Sequence, residues 1–159
     1  MSQSLWTAYQ WIHQLLNAHE IPFQIVGGFA VSLYGGSRPV ADIDLYVPKS
    51  QAELLASLVA PYVSKPLKHY VEAGWDLEYL QLVYENQKIE IGLTPGTKIL
   101  NSAVNEWVDL HVDFDQSVMV QANGFDIPLM PKEHLIQYKS LLNREVDVID
   151  IHDLKNAAD

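Results

Sequence analysis

The sequence predicts a protein of the α/β (α+β) class, in which helices and strands follow one another along the chain. Apolar residues repeat at helical spacing over residues 4–18, as in an amphipathic helix. Residues 23–48 then read as a strand, a glycine pair, a short helix, a second glycine pair and a strand. Two hairpin patterns and two helical patterns follow. We expect one domain over residues 1–159, large enough for a single core.

The composition narrows the class of protein. Hydrophobic residues make up 48% of the chain, no apolar run reaches membrane-spanning length, and the N-terminus shows no signal-type segment, so we expect a compact protein without a membrane role. The chain has no cysteine, which excludes disulfides and agrees with a cytoplasmic location. A formal net charge of −10 disfavours tRNA and suits a small cationic or neutral molecule, or a basic protein, as partner.

The central stretch, residues 23–48, carries paired carboxylates. Asp42 and Asp44 lie two residues apart on its second strand, so both side chains share one face while Ile43 and Leu45 point into the core. Adjacent carboxylates repel each other, and a divalent cation removes that repulsion. Mg²⁺ prefers oxygen ligands and keeps open positions for substrate phosphates. The spacing therefore predicts a metal site.

The glycines of the same stretch predict an anion site. Gly27 and Gly28 end an apolar strand over residues 23–26 and open a short helical segment. Glycine lets backbone N–H groups approach an anion closely, and the start of a helix favours negative charge. A phosphate site is thus expected beside the metal site.

These residues together resemble a known signature, that of the DNA polymerase β-like nucleotidyltransferase superfamily: Gly27-Gly28-Phe29-Ala30, Gly36, Arg38 and Asp42-Ile43-Asp44. The resemblance is to its small bacterial members, among them aminoglycoside, lincosamide and toxin-type nucleotidyltransferases. It implies the nucleotidyltransferase fold, a mixed β-sheet flanked by helices. Many superfamily members have Ser directly after the glycine pair, where this chain has Phe29.

The resemblance also implies the remaining site residues. Asp42, Asp44 and a third carboxylate on the neighbouring strand are the implied catalytic residues and ligands of Mg²⁺, or of Mn²⁺. Glu90 is the position that fits, although the third carboxylate is most often Asp in the superfamily, and Asp76 and Glu78 on the preceding strand are competitors. Nucleotide contacts are implied for five residues: Gly27, Gly28, Ser37, Arg38 and Lys139.

The segment after the central stretch is less regular. Ser50 and Glu53 match a capping box for a helix that runs to about residue 58. Residues 62–74 include a mildly basic, aromatic group: Lys65, Lys68, His69 and Tyr70. These residues suit a nucleotide or acceptor wall, but we favour a solvated loop. A hairpin over residues 77–92 follows, with Glu90 on its second arm.

The next segment contains a second possible metal site. Residues 94–106 read as a loop with a short helix, and residues 109–115 as a strand. Four potential ligands alternate along that strand: Asp109, His111, Asp113 and Asp115. A half-buried strand with a polar outer face has the same pattern, and we favour it over a metal site.

The last third of the chain reads as a hairpin and two helices. The hairpin covers residues 118–129 and turns at Asn123-Gly124. One helix opens at Pro131, and a final helix covers residues 144–157. Three residues of the final helix are expected to point inward: Val146, Ile149 and Leu154.

The function that the resemblance implies is nucleotidyl transfer by a two-metal mechanism. An NMP, with ATP as the expected donor, moves to a hydroxyl of a small molecule or a macromolecule, and pyrophosphate leaves. One alternative is a catalytically silent binding protein or toxin–antitoxin component with the same fold, and another is a toxin-like enzyme that modifies tRNA or protein. The acceptor, the base preference and the oligomeric state stay open.

Overall fold

The computed structural model describes residues 1–157, which form five α-helices and nine β-strands. In chain order the elements are α1 Gln3–Ala18, β1 Gln24–Val26, α2 Gly27–Leu33, β2 Ile43–Pro48, α3 Ala52–Leu58, β3 Val63–Glu72, β4 Trp75–Tyr84, β5 Gln87–Thr94, β6 Lys98–Asn101, β7 Glu106–Asp109, β8 Val118–Ala122, β9 Phe125–Leu129, α4 Lys132–Leu142 and α5 Glu145–Asn156. The helix–strand mixture predicted from the sequence is confirmed.

The strands form one mixed sheet flanked by the helices. Its order is β7-β6-β4-β5-β2-β1-β9-β8, and β3 pairs with β4. The pairs β2–β5 and β1–β9 are parallel, and the other pairs are antiparallel. The core lies between the sheet and its helices, where α1 contributes its apolar stripe: Leu5, Ala8, Tyr9, Ile12 and Leu16. Among residues 1–157, no helix is both long enough and apolar enough to cross a membrane.

Both predicted hairpins are present. The first turns at Glu85 and Asn86, both with positive φ, and joins β4 to β5. The second turns at Asn123-Gly124, also with positive φ at both residues, and joins β8 to β9. Asn and Gly tolerate this conformation better than other residues, which is why the sequence revealed the second turn.

Four local predictions were wrong. Residues 62–74 form strand β3 rather than a loop, and the register of β3 on β4 shifts between Lys65 and Lys68, around Pro66. Proline lacks a donor, so a strand tolerates it at such an irregularity. Residues 94–106 contain β6 rather than a helix. The helix α3 has no capping box, because a 3₁₀ turn over Lys49–Gln51 precedes it.

The fourth error concerns residues 109–115, which are not a strand. The strand β7 ends at Asp109, and a 3₁₀ turn over Phe114–Gln116 follows. The carboxylate of Asp113 accepts a hydrogen bond from the backbone N–H of Asp115, which stabilises that turn. The apolar residues between the polar ones pack against the core from an irregular segment, so their alternation imitated a strand.

The orientation of α5 also differs from the prediction. Leu154 is buried as expected, but Val146 and Ile149 are 37% and 41% exposed. Asp147 and Asp150 are buried instead. The prediction followed hydropathy and therefore placed the apolar residues of α5 inside. The ion pairs of Asp147 and Asp150, described below, decide instead which face of the helix is buried.

Candidate active site

Three carboxylates converge at the centre of the sheet. Asp42 directly precedes β2, Asp44 lies in β2, and Glu90 lies in β5. Parallel pairing of β2 with β5 places Asp44 opposite Glu90, so the two side chains share one face. One oxygen of each of the three carboxylates lies within 4.8 Å of the others. Asp42, Asp44 and Glu90 are called the acidic cluster below.

The competing residues lie elsewhere. Asp76 pairs with His69, and Glu78 pairs with Lys49 at 3.0 Å. Within the described part of the chain, the acidic cluster is the one group of three or more His, Asp or Glu side chains close enough to share a metal ion. Within residues 1–157, the polar residues between Asp109 and Asp115 therefore form no such group.

The acidic cluster is electrostatically unsatisfied. Asp44 Oδ1 is buried and has no hydrogen-bond partner among the described residues. Burial, followed by the charges of Glu90 and Asp42, raises the pKa of Asp44 well above its usual value. Burial and the charge of Glu90 also raise the pKa of Asp42. Converging carboxylates with an orphaned buried oxygen fit a hard divalent cation such as Mg²⁺.

Glu90 is held in place by β4. The side-chain amide of Gln81 donates a hydrogen bond of 3.0 Å to Glu90 Oε1, and the two residues are register partners across β4 and β5. The sequence alone did not reveal the role of Gln81, because the contact depends on that register. This hydrogen bond restrains the long side chain of Glu90.

The glycine corner lies against Asp44. The strand β1 ends at Val26, the register partner of Asp44, and Gly27 then takes a φ of +66°. A Cβ atom on Gly27 would overlap the carboxylate of Asp44. The N–H of Gly27 donates a hydrogen bond of 3.0 Å to the hydroxyl of Tyr138, so this amide is engaged within the chain. Gly28 lies in the first turn of α2, where amides have no intrahelical acceptor.

Arg38 and Lys139, the two basic residues among the predicted nucleotide contacts, form ion pairs with aspartates of α5. Arg38 donates two hydrogen bonds to Asp150, from Nε at 2.7 Å and from Nη2 at 2.8 Å. Lys139 Nζ lies 3.0 Å from Asp150 and 3.4 Å from Asp147. The side chain of Lys139 is only 3% exposed, so its ammonium is enclosed between these two aspartates. Arg144, which the sequence analysis did not select, donates to Asp147 from Nε and Nη2.

These residues line a cleft of about 400 Å³, a volume typical of small-ligand sites. Seven of the eight predicted site residues line it: Gly27, Gly28, Arg38, Asp42, Asp44, Glu90 and Lys139. The exception in the described structure is Ser37, whose hydroxyl and backbone N–H both donate to Asp153. The opposite wall comes from β3 and β4 and includes Lys65, Tyr70, Trp75 and Tyr79. Two members of the basic, aromatic group, Lys65 and Tyr70, thus reach the cleft from β3, contrary to the loop interpretation.

The buried aspartates of α5 predict an acid-sensitive fold. Burial by itself would raise the pKa of Asp147 and Asp150, but hydrogen bonds from Arg144, Arg38 and Lys139 lower both below the usual value. A carboxyl whose pKa is lowered by folding stabilises the fold above its unfolded pKa of about 4, and the stabilisation disappears as the pH falls through the folded pKa. Asp150→Asn should therefore reduce the free energy of unfolding at pH 7 by about 3 kcal/mol.

The pH dependence checks this assignment. In urea titrations below pH 4, Asp150→Asn should lose less further stability than the parent chain, and exposed Asp109→Asn should follow the parent. Parallel pH curves for Asp150→Asn and the parent would contradict it. The raised pKa values of Asp42 and Asp44 change stability in the opposite direction. Because each carboxyl has a higher pKa in the folded state, it destabilises the fold as the pH rises above the unfolded value of about 4.

Comparison with known proteins agrees with this geometry. No protein-family model and no curated protein sequence matches the chain. Similar solved structures exist, however. A candidate nucleotidyltransferase from Thermotoga maritima is 20% identical, with a TM-score of 0.71 over 94% of this chain and 91% of that one.

Two further similar structures are antibiotic-modifying enzymes. The lincosamide antibiotic adenylyltransferase LnuA, solved with lincomycin, is 17% identical, with a TM-score of 0.62 over 94% of this chain and 96% of that one. ANT(2″)-Ia, solved with adenylyl-2″-tobramycin, is 14% identical, with a TM-score of 0.59 over 93% and 87%. The chain therefore has the nucleotidyltransferase fold, as the residues of the central stretch implied.

Proposed function

We propose that this chain is a metal-dependent nucleotidyltransferase that moves AMP from ATP to a hydroxyl of an acceptor and releases pyrophosphate. The observation that carries the proposal is the convergence of the acidic cluster in the cleft, directly against a glycine corner that leaves space over Asp44. A structural role would not require three carboxylates with an orphaned buried oxygen at the centre of a sheet. The similarity of the fold to adenylyltransferases supports the same reaction.

The acidic cluster would hold Mg²⁺, or Mn²⁺, through Asp42, Asp44 and Glu90. When bound, the metal supplies charge screening at the phosphates and lowers the pKa of the attacking hydroxyl. Asp42 and Asp44 belong to a β-strand segment whose alternate residues, Ile43 and Leu45, are fully buried. Rigid anchoring of this kind keeps the carboxylates in one geometry, which transfer chemistry requires.

Protein side chains supply the remaining functions. The acceptor oxygen bonds to the α-phosphorus while the bond from that phosphorus to the bridging oxygen breaks, and the departing pyrophosphate carries the negative charge. Arg38 stabilises that charge beside Gly28, whose Cβ position lies 3.6 Å from Arg38 Nη2. We assign the proton of the acceptor hydroxyl to Glu90, which Gln81 orients. Ser37 and Lys139 support the phosphate side through their bonds to α5.

The acceptor is proposed to be a small molecule or a protein. The wall formed by β3 and β4 is largely aromatic, with Tyr70, Trp75 and Tyr79 facing the cleft, and such a surface stacks on a flat or apolar face of a ligand. The net charge of −10 disfavours tRNA. We place the reaction in the cytoplasm, where ATP is available, within one domain that spans the chain.

A direct assay tests the proposal. Purified protein is incubated with ATP labelled at the α-phosphate, Mg²⁺ and a panel of hydroxyl compounds that includes lincosamides, aminoglycosides and a mixture of basic proteins. Label transfer with stoichiometric pyrophosphate supports the proposal. Calorimetry with ATP and Mg²⁺ identifies the alternative: binding of ATP without transfer to any acceptor supports a catalytically silent fold, and absence of binding rejects both.

A further inference from the structure

Two aspartates of helix α5 hold two arginine side chains at the cleft with the same hydrogen-bond geometry. Arg38 uses Nε and Nη2 to bind Asp150, and Arg144 uses Nε and Nη2 to bind Asp147. Asp147 and Asp150 lie one helical turn apart, so the two forks are fixed side by side. Among the described residues, Nη1 of each guanidinium has no hydrogen-bond partner, so its two N–H donors can serve a ligand in the cleft that both residues line. These two residues are called the arginine pair below.

The arginine pair and Lys139 share two buried carboxylates of α5. Asp147 and Asp150 are the carboxylates that three cations share: Arg38, Lys139 and Arg144. The hydrogen bonds to Asp147 raise the pKa of Arg144, and the nearby charge of Arg38 opposes that increase. Two guanidiniums held by α5 at one wall of the cleft match a phosphate chain, which accepts bidentate N–H donors.

The side chains of Arg144 and Lys139 differ in their exposure to solvent. The side chain of Arg144 is 46% exposed and that of Arg38 is 30% exposed, whereas Lys139 is 3% exposed between Asp147 and Asp150. A buried ammonium with two carboxylates has little capacity for a third anion. Lys139 instead holds the two carboxylates that hold the arginines.

We infer that Arg144 is a binding residue for the polyphosphate of the nucleotide and acts with Arg38, and that Lys139 does not contact the phosphates. The inference rests on the proposed function, since it assigns a residue to the donor side of that site. Arg144 lies at the junction of α4 and α5, outside the central stretch, and lines the same cleft as Gly27 and Gly28 of the glycine corner.

Calorimetric titration with inorganic tripolyphosphate in buffer with Mg²⁺ tests this, because the probe has neither base nor sugar. Arg144→Gln and Arg38→Gln should each weaken binding roughly 10- to 100-fold, the effect of losing a hydrogen-bonded charged partner. Lys155→Gln, which removes an equal charge from an exposed position of the same helix, should change affinity less than about twofold. With ATP, Arg144→Gln should raise KM more than it lowers kcat.

A conservative variant guards against misfolding. Arg144→Lys keeps a charge beside Asp147 but not the planar fork, so it should remain folded by thermal denaturation and still bind tripolyphosphate at least about fivefold more weakly. Unchanged affinity in this variant or in Arg144→Gln overturns the inference, and so does failure of a parent enzyme that turns over ATP to bind tripolyphosphate. In both cases transfer by the parent chain leaves the proposed function standing. A parent that binds neither ATP nor tripolyphosphate overturns both.

Discussion

We expect Asp44→Asn to abolish the proposed nucleotidyl transfer and at the same time to stabilise the metal-free protein. The amide cannot replace the carboxylate as a metal ligand, so turnover should fall by about a thousandfold or more. In buffer with EDTA the melting temperature should rise, because the substitution removes a buried charge that faces Glu90 and Asp42. Loss of activity with a gain in stability distinguishes a functional carboxylate from a structural one.

Two comparisons complete this test. Mg²⁺ should raise the melting temperature of the parent chain and leave that of Asp44→Asn nearly unchanged, because ligand binding stabilises only the state that binds. Asp109→Asn removes an exposed carboxylate from β7 and should alter neither activity nor melting temperature. Turnover retained in purified Asp44→Asn would remove the metal assignment.

Gly27→Ala should damage both the fold and the site. An L-residue at a φ of +66° costs about 1–2 kcal/mol. The added methyl group also overlaps the Asp44 carboxylate, and the Cβ and Cγ atoms of Asp44 would each lie 3.1 Å from it. Such an overlap costs about 1–3 kcal/mol more. We expect the free energy of unfolding to fall by about 3–4 kcal/mol and activity to disappear because Asp44 is displaced from the acidic cluster.

Two other glycines serve as matched controls. Gly124 has a φ of +84° with open space around its Cβ position. Gly124→Ala therefore measures only the cost of placing an L-residue at a positive φ, which should be about 1 kcal/mol. Gly28 has no positive φ and only an ordinary contact at its Cβ position, so Gly28→Ala should be neutral or slightly stabilising. Equal destabilisation by Gly27→Ala and Gly124→Ala in urea titrations would mean that the contact with Asp44 is absent.

Much of the fold was predictable because it depends on local patterns. The stripe of α1, the strand that carries Asp44 and the Asn123-Gly124 turn each follow from backbone periodicity or from a residue's preferred φ. The errors occurred where a neighbouring element decides the outcome. Strand β3 pairs along β4 despite Pro66, and α5 turns its aspartates inward because Arg38 and other cations lie there.

The sequence by itself determined the two carboxylates of β2, the glycine corner beside them and the expectation of a nucleotidyltransferase fold. The resemblance pointed to Glu90 as the third carboxylate and left Asp76 and Glu78 as competitors. The tertiary structure separates them, because the parallel register of β2 and β5 brings Glu90 beside Asp44. It also decided that Lys139 is enclosed while Arg144 reaches the cleft. Side-chain alternation is set by each residue's own backbone, whereas the partner of a charge is set by contacts between residues far apart in the chain.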